Sequence, residues 1–211
     1  MVNINDLQDS YNRISKYLVT TPILQSENLN KEFNADIYLK NEVEQLTGSF
    51  KIRGALSALS KLKEDGIEGV VAFSSGNHAQ GVSKAAQIFD MKAIIVMPED
   101  APLNKIEKTK SNGAEVILYK RHIESREKIA EQISLDRGFP LVKPFDNEYI
   151  IAGQGSFGLE ACQFFMGSNI NPDIVLSCTS GGGLVAGTSI AFKHYFPDVE
   201  IYPVEPLSCN D

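Results

Sequence analysis

The strongest constraint on this chain is an alternation of short, continuously apolar runs with longer stretches of helical periodicity. Val70-Val71-Ala72-Phe73 and Ala93-Ile94-Ile95-Val96 contain no polar residue. Strands covered by helices on both faces read in this way. Strands are expected at 36–40, 69–73, 92–97, 115–119, 173–178 and 200–204. Helices are expected at 5–18, 50–64, 77–89, 104–111, 125–137, 155–165 and 184–195. This β, α, β, α order implies an α/β fold whose parallel strands are joined by right-handed crossovers. The sequence shows no internal repeat and no low-complexity linker. Its 211 residues suffice for one large domain or two modest ones.

Composition narrows the function classes. With 43% hydrophobic and 22% charged residues, the chain has ample material for a core and reads as globular. A net charge of −7 argues against nucleic acid or an anionic membrane as the main partner. It leaves an anionic small ligand open, because local donors make such a site. Three cysteines, Cys162, Cys178 and Cys209, form no paired framework, and free thiols in a reducing compartment are expected. The first residues lack the basic-then-apolar pattern of a signal peptide. No apolar run approaches the ~20 residues that span a bilayer. Cytoplasmic localisation is therefore expected. The chain stops at Glu205-Pro206-Leu207-Ser208-Cys209-Asn210-Asp211, directly after a strand and without a closing helix, which reads as a truncated domain.

Four segments carry candidate chemistry. In Gly48-Ser49-Phe50-Lys51-Ile52-Arg53-Gly54-Ala55, Ser49 is the expected N-cap, so Lys51 falls in the first helical turn. A cation there opposes the helix macrodipole, which favours the neutral amine of a Schiff-base lysine. A lysine so placed is more often an ordinary surface residue. Ser74-Ser75-Gly76-Asn77-His78 follows an apolar strand and opens a helix, an arrangement suited to a carboxylate or phosphate. Its bland reading is a capped strand-to-helix turn, with His78 a structural histidine. Thr179-Ser180-Gly181-Gly182-Gly183-Leu184 lets three successive backbone amides approach a phosphate. Gly153-Gln154-Gly155-Ser156-Phe157-Gly158 matches the dinucleotide pattern G-x-G-x-x-G, with Asp173 twenty positions further on. Asp173 starts its strand, however, and would point away from a ribose. This segment is expected to be a turn leading into a helix.

Together the lysine helix, the S-S-G-N-H loop and the glycine-rich loop, in this order, resemble the serine/threonine dehydratase group of the tryptophan-synthase-β-like, fold type II pyridoxal-phosphate (PLP) enzymes. The resemblance runs from Thr21-Pro22-Ile23-Leu24 to Glu205-Pro206. It implies two open, twisted, mostly parallel sheets flanked by helices. A large domain is implied at 1–65 and 147–211, incomplete at its C-terminus, and a small domain at 66–146 closing over the substrate. By position, Lys51 resembles the cofactor-bearing lysine and proton shuttle, and Phe50 the residue beside the ring. Asn77 would bond the phenolic oxygen, and Ser180, Gly181, Gly182, Gly183 and Leu184 would hold the phosphate. Ser180 stands where the family often has a fourth glycine. Ser75, Gly76, Asn77 and His78 would cradle the substrate carboxylate, and Ser75 also matches the second base of serine racemases. Glu205, the Cys209 carbonyl and Asp211 align with a divalent-cation site, Mg²⁺ or Ca²⁺, against the equal alternative of two solvated acids.

In such enzymes the cofactor acts as an electron sink, so the implied reaction is loss of water from L-threonine or L-serine to a 2-oxo acid and ammonia. Serine racemase and 3-hydroxyaspartate dehydratase are the implied alternatives. Pro144-Phe145-Asp146 leans toward the dehydratases. A homo-oligomer is implied for the full-length protein, and little turnover for a truncated one. From other classes, residues 153–158 leave a nucleotide-binding oxidoreductase open, and a non-catalytic interaction module would have no use for Lys51.

Overall fold

The computed structural model describes residues 1–209. The first helix, α1 (Ile4–Ile14), opens with a capping box: the Asn3 side chain accepts from Asn5 N–H, and Asp6 takes the Asn3 N–H at 2.8 Å. Next come β1 (Ile23–Gln25), α2 (Glu27–Phe33) and β2 (Tyr38–Lys40), in which β1 pairs antiparallel with β2. In the long helix α3 (Lys51–Glu64), every residue from Ile52 to Ser60 is buried.

A three-stranded parallel sheet follows, built from β3 (Gly69–Phe73), β4 (Lys92–Pro98) and β5 (Glu115–Tyr119), with α4 (Asn77–Ile88) and α5 (Leu103–Ser111) as crossovers. β3 is buried along its whole length, and β4 is buried except at Lys92. The reason is visible in the cores. Val70 and Ala72 of β3 pack with Leu56, Leu59 and Val82 of α3 and α4. Val71 and Phe73 turn the other way, toward Ile94, Val96 and Ala130. Residue 130 belongs to α6 (Arg126–Arg137). Alternate side chains thus enter opposite cores, each buried aliphatic residue contributing roughly 1.5–3 kcal/mol.

The chain ends with α7 (Glu148–Gly167), β6 (Ile174–Cys178), α8 (Gly183–Tyr195) and β7 (Glu200–Val204), the two strands pairing in parallel. A third core joins α1, α7 and α8 through Leu7, Leu159, Phe165, Ala191 and Phe192. The mixed α/β architecture expected from the sequence is present, with β1 and β2 adding an antiparallel pair. Cys162 is a buried free thiol and Cys178 an exposed one. Among the described residues no helix is long and apolar enough to cross a membrane.

Candidate active site

Lys51 is the first residue of α3, and the geometry there departs from expectation. Ser49 is not the cap. The N-cap is Phe50, in the right-handed helical region and without a side-chain cap, while Ser49 Oγ is buried with no partner among the described residues. A buried hydroxyl left without a partner costs ~1–3 kcal/mol, so this atom calls for a polar group from outside the chain. The first turn is anchored by Arg53 instead. Its fully buried guanidinium donates to Glu42 at 2.7 Å twice, to Glu160 at 2.9 Å twice, and to Ser156 Oγ at 3.1 Å. Burial opposes the Arg53 charge, but the hydrogen bonds with Glu42 and Glu160 outweigh it and raise its pKa. Lys40 Nζ joins Glu160 at 2.6 Å and the Thr21 carbonyl at 2.8 Å.

Fixed in this way, Lys51 sends Nζ to the Pro144 carbonyl at 3.3 Å, 5.1 Å from the centre of the Phe50 ring. Burial pushes the ammonium pKa below its ordinary value, partly opposed by the neighbouring Cys178. A partly desolvated amine of lowered pKa is a better nucleophile and base at neutral pH. From the other side α4 leans on the Lys51 peptide: a β-carbon at Gly81 would stand 3.1 Å from the Lys51 carbonyl.

The loop between β3 and α4 supplies an uncapped helix N-terminus. Gly76 is the N-cap and has no side-chain bond, while Ser74 Oγ accepts the Gly76 N–H at 3.1 Å. Ser75 and Gly76 are half-buried and Asn77 is exposed. His78 is buried, its Nε2 lying 3.1 Å from the Val142 carbonyl. Burial, reinforced by the Lys51 charge and only partly offset by that carbonyl, lowers its pKa to about 4. A neutral, oriented imidazole fits the structural reading of His78.

The third segment behaves likewise. Gly182, at φ +79°, is the N-cap of α8 and brings no side-chain bond, and a β-carbon on Gly181 would run into the Phe145 ring. Ser180 is exposed, whereas Gly183 and Leu184 are buried. Pro144 and Phe145 therefore touch Lys51 on one side and the glycine loop on the other. The structure brings all three segments of the sequence pattern to one place. Two helix N-termini present backbone N–H groups without internal partners, beside the half-buried Lys51 amine and the orphan Ser49 hydroxyl. This donor set fits a phosphate-bearing aldehyde such as PLP.

Two residues near this place escaped the sequence reading. Arg126, first in α6, lies over the Phe73 ring at 5.2 Å. Lys105, third in α5, bonds Asn77 Oδ1 at 2.8 Å. Both are cations in a first helical turn, opposed to the macrodipole, and that was the available signal. Two other expectations end differently. Residues 153–158 are not a turn leading into a helix but lie inside α7, and a β-carbon at Gly153 would stand 2.5 Å from the Arg53 carbonyl. The glycines serve helix packing, which removes the dinucleotide loop. Of the expected cation ligands, Asp211 lies outside the described residues; among the described residues no three His, Cys, Asp or Glu side chains cluster to hold a metal.

Comparison with known proteins agrees with this donor set. The chain is 42% identical over 209 residues to the serine racemase of Schizosaccharomyces pombe, covering 98% of this chain and 63% of that protein. It is 42% identical over 207 residues to the L-threo-3-hydroxyaspartate ammonia-lyase of Saccharomyces cerevisiae, covering 98% and 62%. The crystal structure of the T.th. threonine deaminase superposes with a TM-score of 0.89 at 41% identity, covering 97% of this chain and 65% of that one. The chain thus spans somewhat over six-tenths of the length of these relatives. Residues 14–211 match the family described as pyridoxal-phosphate dependent enzyme, and the chain belongs to that family.

Proposed function

We propose that this chain forms part of a PLP-dependent ammonia-lyase that converts L-threonine or L-serine to the 2-oxo acid and ammonia, with Lys51 carrying the cofactor. The observation that carries the reading is the half-buried Lys51 side chain, its amine 3.3 Å from the Pro144 carbonyl, flanked by the two uncapped helix N-termini. When bound, PLP supplies an electron sink for charge developing at the substrate α-carbon.

The chain's own residues then divide the work. Backbone N–H groups of Ser180, Gly181, Gly182, Gly183 and Leu184 hold the phosphate at the start of α8, where the helix dipole favours an anion. Phe50 lies beside the ring, and Asn77 donates to its phenolic oxygen. Ser75, Gly76, Asn77 and His78 bind the substrate carboxylate at the start of α4. Lys51, whose ammonium pKa is lowered by burial, takes the α-proton at Nζ and can return it. The segment 66–146, which carries β3, α4, β4, α5, β5 and α6, closes over the substrate and excludes water. The full-length protein acts as a homo-oligomer in the cytoplasm.

A second reading, serine racemase, is favoured by Ser75, half-buried in the carboxylate loop, where a hydroxyl can serve the face opposite Lys51. One experiment separates the readings. One portion of the full-length protein, loaded with PLP, is reduced with borohydride and digested and its peptides weighed, while an unreduced portion is assayed with L-threonine, L-serine and 3-hydroxyaspartate. Cofactor mass on the Lys51 peptide, with 2-oxo acid released from threonine or serine, supports the lyase. D-serine as main product supports the racemase, and 3-hydroxyaspartate as the sole substrate supports the activity for which the Saccharomyces cerevisiae relative is named. No label on Lys51 defeats all three.

A further inference from the structure

The bond between Lys105 and Asn77 has no evident structural purpose. Lys105 is the third residue of α5, where a positive charge opposes the helix dipole. It reaches across to α4, donating from Nζ to Asn77 Oδ1 at 2.8 Å and, at longer range, to Gln80 Oε1 at 3.4 Å. Neither contact joins cores, and Asn77 is exposed. What the bond does accomplish is chemical. An ammonium has three donors and no acceptor, so it can meet the Asn77 amide only through oxygen. Turning the amide over would set two donors against each other. With Oδ1 held toward α5, the amide's N–H₂ is left as the group presented to the cleft.

We propose that Lys105 is a positioning residue for the cofactor. It locks the Asn77 amide so that a donor faces the phenolic oxygen of PLP. Its positive charge, one side chain away, also favours the ionised form of that oxygen. Charge-assisted bonds are about twice as strong as neutral ones, enough to hold an exposed asparagine in one orientation. This rests on the reading of Asn77 as a cofactor ligand given above.

The test measures PLP binding and the absorbance spectrum of the bound cofactor in the full chain, comparing wild type with Lys105→Met, Lys105→Arg, Asn77→Ala and the Asn77→Ala/Lys105→Met double variant. Lys105→Met is expected to raise the Kd for PLP by about tenfold, the scale of one charge-assisted hydrogen bond. It is also expected to shift the balance between visible and near-ultraviolet absorbance. Lys105→Arg restores both, since a guanidinium also donates only. In the Asn77→Ala background Lys105→Met costs little further, because the two act as a unit. Wild-type Kd and spectrum in Lys105→Met overturn the proposal, as does a full additional loss in the double variant. A Kd rise that merely follows a lowered melting temperature, with the bound spectrum unchanged, overturns it too. Borohydride labelling of Lys51 separates the two levels. Label on Lys51 with an inert Lys105→Met removes only the role of Lys105, whereas a wild-type protein that takes no label on Lys51 removes the underlying site.

Discussion

Arg53 and Glu42 meet in a bidentate ion pair, Nε to Oε2 and Nη2 to Oε1, both at 2.7 Å. The pair is buried and sits two residues beyond Lys51, so it sets how the first turn of α3 is rotated and where the Lys51 side chain emerges. Glu160, from α7, completes the enclosure at 2.9 Å. Removing Arg53 takes the cation from between Glu42 and Glu160, leaving the first with the Thr21 hydroxyl and the second with Lys40. Breaking a buried pair in this way costs ~3–5 kcal/mol, so Arg53→Leu is expected to lower unfolding free energy by about that much in urea titration. Arg53→Lys keeps the charge but cannot supply five donors in a plane, and it is expected to recover less than half the loss. A Lys variant as stable as wild type would mean that charge alone matters here.

Gly153 tests the assignment of the glycine-rich stretch to packing. A β-carbon there would lie 2.5 Å from the Arg53 carbonyl and 2.6 Å from Ser57 Cβ, and backbone on that side cannot yield cheaply. Overpacking of this kind costs ~1–3 kcal/mol or more. Gly153→Ala should therefore lower the thermal midpoint and add no defect in binding any nicotinamide dinucleotide. A variant of unchanged stability would show that α3 and α7 are less closely apposed than described.

These two cases also mark what could be read from the sequence. β3 was legible because its residues are buried on both faces and so lack any polar alternation, and β5 and β7 fall at their expected limits. α2 was missed because none of its residues is buried, leaving no apolar stripe to detect. The start of α7 was missed because glycines read as turn residues, although the Asn147 cap, bonding Tyr149 and Ile150 N–H, stood in plain view. The three site segments were recognisable from residue type and order. The Arg53 network was not, since it joins Glu42 and Glu160 across more than a hundred residues, and the Lys105–Asn77 bond links two helices from positions 28 residues apart.

His78 makes stability depend on pH. An unfolded chain titrates this imidazole near 6.5, whereas the fold keeps it neutral down to about 4. Between these values the unfolded state binds a proton that the native state refuses. Stability from this residue is thus fully present above pH 6.5 and is lost as pH falls toward 4, by at most roughly 3 kcal/mol. Urea titrations at pH 7 and pH 5 should show a larger drop for wild type than for His78→Gln, which can still donate to the Val142 carbonyl. Equal drops would mean that the imidazole is protonated in the native state.

Gly181 and Phe145 offer the sharpest test of the phosphate loop. The ring stands where a Gly181 β-carbon would be, and its neighbour Pro144 holds the Lys51 amine. Gly181→Ala should push Phe145 aside and with it the carbonyl that orients Nζ, weakening PLP binding by roughly ten- to a hundredfold, or about 1.4–2.8 kcal/mol. Phe145 is partly exposed, 41%, so trimming it leaves little core unfilled. The double variant Gly181→Ala/Phe145→Ala should then regain much of the lost affinity, because the clash that caused the defect has been removed. Additive losses, read as PLP Kd by absorbance titration, would indicate instead that alanine harms the loop through its backbone, by denying the phosphate close approach to the N–H groups that open α8.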